Sequence, residues 1–165
     1  MDQAQGAIDA ARAAGADRYA VQQYESAVKA LQSAQDAVAQ RDYRLALNHA
    51  LDSRDRAQSA AKEAAGQQAA LRSAAERRLG QVTATLDQAK QRLAAADASR
   101  LPRRSLAAAR SAVAEAEGSL QKAGTSIQDG NYQVSQEQLA ESAKKLQTAM
   151  AEIDTAIKPR TPRRR

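Results

Sequence analysis

One apolar seam constrains this chain more than any other feature. Followed from Ala96 back through Leu93, Ala89, Leu86, Val82, Leu79, Ala75, Leu71, Gln68, Ala64, Ala61, Ala57, Arg54, Ala50 and Leu47, it reaches Tyr43 in unbroken steps of three and four. That rhythm belongs to a helix packing through one narrow stripe, as in coiled coils. No proline interrupts it, since the first in the chain is Pro102. The spacing predicts one helix over 42–98, roughly 85 Å long at ~1.5 Å rise per residue. The rival reading breaks it at "AGQQ" (65–68). Gly66 costs a helix only about 1 kcal/mol, so the continuous reading is preferred.

The same spacing recurs outside this stretch. Tyr24, Ala27, Leu31, Ala34 and Val38 keep it; so do Leu106, Ala109, Val113, Ala116, Leu120, Ala123 and Ile127, and then Leu139, Ala143, Leu146, Met150, Ile153 and Ile157. Further helices are expected over 3–14, 18–40, 101–128 and 131–157. Much of the 43% hydrophobic content is alanine, the four aromatics are all tyrosine, and Phe, Trp and Cys are absent. Alanine buries little area, so a thick core cannot form. It does let helices approach at the short end of the roughly 8–10 Å interaxial range. The expected fold is all-α: elongated antiparallel helical hairpins or a thin bundle.

The two halves resemble each other. "RDYRLALNHALDSRDRAQSA" (41–60) aligns with "GNYQVSQEQLAESAKKLQTA" (130–149), setting Tyr43 on Tyr132, Ser53 on Ser142 and Asp42 on Asn131. Asp and Asn are good helix N-caps, because the side-chain oxygen accepts from free amides of the first turn. In the same register Val38 falls on Ile127 and Leu31 on Leu120. Earlier, Asp17 pairs with Ser99 and Tyr24 with Leu106; earlier still, Ile8 and Asp9 pair with Leu86 and Asp87. The spacing grows from 78 to 82 to 89 residues, steps of about one helical turn and one heptad, which lengthen a helix without turning its face. Two repeat units joined by the long helix are expected, 1–70 and 71–157, followed by a basic disordered tail over 158–165. Asp17, Tyr19, Asp42, Tyr43, Ser99, Pro102, Asn131 and Tyr132 are the expected corner residues, with Tyr43 packing over a hairpin tip.

The stretch from 7 to 64 resembles a family of bacterial cell-envelope domains of unknown function, numbered 4398. Its pattern is a short helix, an "AGA-x-x-Y-A" turn, a helix, a "G-D-Y-x-x-A" turn and a final helix. The matching residues are Ala14, Gly15, Ala16, Tyr19 and Ala20, then Asp42, Tyr43 and Ala46. Arg41 stands where the family usually has glycine, and Val21 where it often has proline. The second half keeps Gly130, Asn131 and Tyr132 but lacks the "AGA" motif. The resemblance implies an envelope setting, a signal peptide and an acylated cysteine upstream of this sequence, and no assigned activity.

The residues themselves offer little chemistry. His49, the single histidine, lies one turn from Asp52, but a metal site needs at least three ligands. No cysteine means no thiolate nucleophile and no disulfide. Carboxylates are scattered among Lys, Arg and Gln rather than paired in a cleft, and no glycine-rich phosphate loop appears. No enzymatic function and no cofactor are expected. No run reaches the ~18 apolar residues of a membrane span, and no signal peptide is visible; the opening "MDQAQGA" fits a true start or a mature start after a removed signal.

The net charge of +6 sits mostly in the tail. Lys158, Arg160, Arg163, Arg164 and Arg165 carry it, and without them 20 basic residues face 19 acidic ones. With Arg100, Arg103, Arg104 and Arg110 they are the candidate contacts for an anion: lipid headgroup, cell-wall polymer or lipopolysaccharide. Nucleic acid is not the expected partner, since arginine without aromatics gives salt-sensitive binding that reads no sequence. The leading expectation is a non-catalytic spacer or protein-binding scaffold of the envelope, lipid-anchored in the periplasm. The alternatives are a periplasmic holdase for unfolded clients and a cytoplasmic protein binding nucleic acid through its tail. Self-association is compatible with the alanine seams.

Overall fold

The computed structural model describes residues 1–99 and 103–157. Among them every regular element is helical, and the all-α expectation holds. The order is α1 (Asp2–Ala13), α2 (Ala16–Tyr19), α3 (Val21–Ala39), α4 (Tyr43–Ala98), a 3₁₀ turn (Arg103–Leu106), α5 (Ala107–Gln128) and α6 (Tyr132–Ile157). Helix α4 runs unbroken through Gly66, where an added Cβ would meet nothing within 4 Å. The chain divides into two compact units, Met1–Leu71 and the part beginning at Arg72.

In the first unit α1, α3 and the start of α4 pack around a core of alanines. Ala4, Ala11, Ala16, Ala20, Ala27, Ala34, Ala50, Ala57, Ala60 and Ala64 are buried there, Ile8, Tyr24 and Leu31 are its large buried side chains, and half-buried Tyr19 packs against it. Small side chains bring backbones close enough for Ser53 Oγ to donate to the Ala27 carbonyl across helices at 2.8 Å. The second unit is richer. Val82, Leu86, Leu106, Val113, Leu120, Leu139, Leu146 and Ile153 fill it between α4, α5 and α6. Register is marked at the surface by Lys90–Glu117 (2.8 Å) and Arg92–Asp154 (2.6 Å).

Three expectations are corrected. The helix placed over 18–40 is two pieces, α2 and α3, because Ala20 takes φ −139° and ψ 48° between them. Val21 is then the first residue of α3, a position that favours proline. Of the helix placed over 101–128, residues 101–102 lie outside the described residues, 103–106 form the 3₁₀ turn, and regular α geometry starts only at Ala107. The phase of the seam in early α4 also differs. Ala46, Ala50, Ser53, Ala57, Ala60 and Ala64 are buried, whereas Tyr43 and Leu47 are exposed. With alanine on several faces the sequence left the face ambiguous by about one residue, and close approach to α3 selects the smaller side chains. The tail over 158–165, expected to be disordered, lies outside the described residues.

Candidate functional site

Two hairpin corners organise the molecule, and they share one backbone design. At the end of α3 the Asp42 amide donates to the Ala37 carbonyl (2.9 Å) and the Arg41 amide to that of Val38 (2.9 Å), with Arg41 at φ 62°. At the end of α5 the Asn131 amide donates to Ser126 (2.8 Å) and the Gly130 amide to Ile127 (3.2 Å), with Gly130 at φ 75°. Both are Schellman motifs, which satisfy carbonyls left open at a helix end by using a left-handed residue. Asp42 Oδ1 then accepts from the Leu45 amide at 2.9 Å, capping α4. Among the described residues the Asn131 side chain makes no hydrogen bond, so α6 opens without that cap; a neutral amide gains less than a carboxylate at the positive helix end.

The other corner residues divide. Gly15, at φ 79°, is the left-handed residue after α1, and its hydrogen points at Tyr19: a Cβ there would lie 3.1 Å from the ring. Tyr19 is half-buried, with the Arg18 guanidinium carbon 5.6 Å from its ring centroid. Asp17 is exposed in α2 and caps nothing; Gly15 holds the cap position. Ser99 bonds backwards, its Oγ donating to Ala95 at 3.0 Å, so it closes α4 rather than opening the next helix. Pro102 lies outside the described residues.

The tyrosines of the two corners do not match. Tyr132 is 7% exposed and Tyr43 is 67% exposed. Tyr43, expected to pack over the tip, is exposed instead. Val38 at 40% and Leu47 at 59%, on either side of the same corner in sequence, are exposed as well. These residues form the largest change the structure makes to the sequence reading. The signal was present in the seam itself, where bulky Tyr43 and Leu47 stand in a stretch of alanines with nothing large opposite them.

The basic residues form no described cluster. Arg100 and the five basic residues of the tail, Lys158, Arg160, Arg163, Arg164 and Arg165, lie outside the described residues, as does the Arg103 side chain. Arg104 is exposed on the 3₁₀ turn. The Arg110 guanidinium is bound to the Asp97 carboxylate, so its charge is already paired.

The described surface grooves are open, and most of their charges are paired. One, of about 610 Å³, lies between α5 and α6 and holds Glu115, Glu141, Lys145 and Glu152. Lys145 bonds Glu141 at 3.0 Å and Glu115 at 3.3 Å. Hydrogen bonding to Glu141 and then Glu115 raises the Lys145 pKa, while Lys145 and then Ser111 lower that of Glu115. Both shifts hold the groups in their ordinary charged forms, the opposite of what proton transfer near neutral pH requires. Asp52 accepts from Arg56 Nε at 2.8 Å, which occupies the carboxylate that His49 would share with a metal. Among the described residues no three His, Cys, Asp or Glu side chains gather as ligands, and no helix is long and apolar enough to cross a membrane.

Neither a family model, a curated protein nor a solved structure matches this chain.

Proposed function

We propose that this chain is a non-catalytic interaction scaffold of the bacterial cell envelope, the soluble part of a periplasmic lipoprotein held by a lipidated cysteine upstream. Its helical units are copies of one hairpin design and act as spacers that carry a protein partner. The basic residues around 100–110 and 158–165 make secondary contact with an anionic lipid, cell-wall polymer or lipopolysaccharide.

One observation carries the scaffold part. Val38, Tyr43 and Leu47 flank one hairpin corner in sequence and are all exposed, on backbone fixed by a Schellman motif and a carboxylate cap. Several large apolar side chains exposed about one ordered corner suit a protein-binding surface. The envelope part rests on the resemblance of 7–64. It is supported by where the residues carrying that resemblance lie. Gly15 takes the left-handed turn, Ala16, Ala20 and Ala46 are buried at corners, and Asp42 caps α4.

The experiment is fractionation of host cells followed by an intact mass of the native protein. A membrane-associated species with an acylated N-terminus is expected. An unprocessed soluble species would overturn the envelope reading.

A further inference from the structure

Two open grooves on this chain are one design used twice. The first, of about 510 Å³, lies between α3 and α4 in the unit Met1–Leu71; the second, of about 610 Å³, lies between α5 and α6. Every residue lining the first, from Gln22 to Ser59, stands 89 places before a residue lining the second, from Ser111 to Thr148. That is the spacing of Tyr43 and Tyr132, so one register carries corner and groove alike. Along α3 it sets Tyr24 on Val113, both buried, where sequence alone sets it on Leu106.

The likeness reaches side chains that face solvent. One wall on α4 reads Asp52, Arg56 and Ser59, with Glu63 a turn further on; on α6 it reads Glu141, Lys145, Thr148 and Glu152. Both are acid, base, hydroxyl and acid at spacings of four, three and four, a single helical face. In each the base bonds the first acid, Arg56 to Asp52 at 2.8 Å and Lys145 to Glu141 at 3.0 Å. Other exposed positions of the same helices differ, Asn48 against Glu137 and Leu51 against Ala140. An ion pair one turn apart helps the helix that carries it. The hydroxyl does not, since serine and threonine are poorer helix formers than alanine. Thr148 Oγ1 donates to the Lys144 carbonyl at 3.1 Å, which leaves its lone pairs open to an outside donor.

The occupant is indicated by how the second hairpin already receives a helix. Helix α4 lies against α5 and α6 and brings Lys90 to Glu117, Arg92 to Asp154 and Asp97 to Arg110. Glu115 and Glu152 of the groove are two residues from Glu117 and Asp154, roughly 200° away around their helices. The groove thus repeats on the far side the acids that α4 meets, over the small side chains of Ala108, Ala112 and Ala149. Its lining carries three acids to two bases, and that of the first groove two to one.

We propose that each groove docks one α-helix of a partner protein, whose facing stripe carries base, acid, small residue and base at the spacing of the wall. The two cations meet the outer acids, the carboxylate meets Arg56 or Lys145, and the small residue lies against Ser59 or Thr148. Asp55 stands where the second groove has Lys144, so the two grooves accept different charges at that edge. Because these side chains are exposed, the binding weakens with salt. The inference rests on reading the chain as a protein-binding scaffold and names a partner class that the exposed corner does not specify.

The test follows amide signals of the full chain by NMR. The probes are capped alanine-based peptides of about 18 residues, long enough to be helical alone. They carry Lys, Glu, Ala and Lys at spacings of four, three and four, in forward or reversed order. One order should give saturable, salt-sensitive shifts around Asp52, Arg56 and Ser59 and around Glu141, Lys145 and Thr148. Glu115→Lys combined with Glu152→Lys should weaken the second set about tenfold and leave the first unchanged; an otherwise unaltered spectrum shows that the variant folds. No shift at millimolar peptide, or shifts centred on Glu117 and Asp154, would overturn the proposal. So would equal shifts from spermidine or from the same peptide broken by a central proline, since charge without a helix would then be enough. Failure here leaves the exposed corner and the envelope reading standing, and a cytosolic location leaves the grooves standing.

Discussion

Arg12 Nε donates a 2.9 Å hydrogen bond to Tyr24 Oη, and its guanidinium carbon lies 5.8 Å from the centroid of the same ring. The tyrosine is the one large aromatic buried in the first core, where it ties α1 to α3. Tyr24→Phe should cost about 1 kcal/mol by removing the hydroxyl bond. Tyr24→Ala should cost about 3 kcal/mol or more, because the small side chains around it cannot close the cavity. Urea denaturation of both variants, with Arg12→Ala completing a double-mutant cycle, measures the pair.

Two buried serines make opposite predictions. Ser135 Oγ is fully buried with no hydrogen-bond partner, at the place where the first unit has Ala46. Ser135→Ala should stabilise by about 1 kcal/mol, since a buried unsatisfied hydroxyl is a net cost. Ser53 is equally buried but satisfied by Ala27, so Ser53→Ala should destabilise by about 1 kcal/mol. Denaturation midpoints of the two variants, compared with wild type, would need to move in opposite directions.

Backbone conformation predicts a third set. Arg41 holds a left-handed φ of 62° that costs a side-chain-bearing residue about 1 kcal/mol. Arg41→Gly should therefore raise the melting temperature. Gly130→Ala should lower it, and Gly15→Ala should lower it more, because its Cβ would also press on Tyr19. Gly66→Ala, inside α4 with open space around it, should gain about 1 kcal/mol.

The groove between α5 and α6 predicts a pH dependence. Lys145 and Ser111 depress the Glu115 pKa, so this carboxylate stabilises the fold above its unfolded value of ~4.3 and loses the effect as pH falls through the lower folded value. Lys145 is shifted upward, so its contribution is present below ~10.4 and is lost as pH rises through the higher folded value. Glu115→Gln should melt slightly below wild type at pH 7, and the difference should vanish at the acid end. Added salt should shrink it at pH 7, because both groups are exposed.

The second unit was the more legible in sequence. Leu106, Ala109, Val113, Ala116, Leu120, Ala123 and Ile127 are all buried as their spacing requires. A large side chain on one stripe leaves the helix no second way to face. Early α4 was less legible for the converse reason: with alanine on neighbouring stripes the seams through Ala50, Ala57 and Ala64 can tilt either way, and the burial of Ser53 beside Ala27 decides it. The break at Ala20 had a faint signal, since Val21 occupies a place the resembling family often gives to proline. The exposure of Tyr43 had only a faint signal, the bulk of Tyr43 and Leu47 among the alanines of the seam.

The middle of α4 carries one more consequence. Residues 65–70 are helical, yet every one of them is exposed, and none belongs to either core. A stretch held only by propensity is marginal, because short helices in water gain little beyond their own hydrogen bonds. Helices commonly fray from the ends inward. Here the ends are clamped by packing, so opening starts at the centre, and amide protons should escape there first.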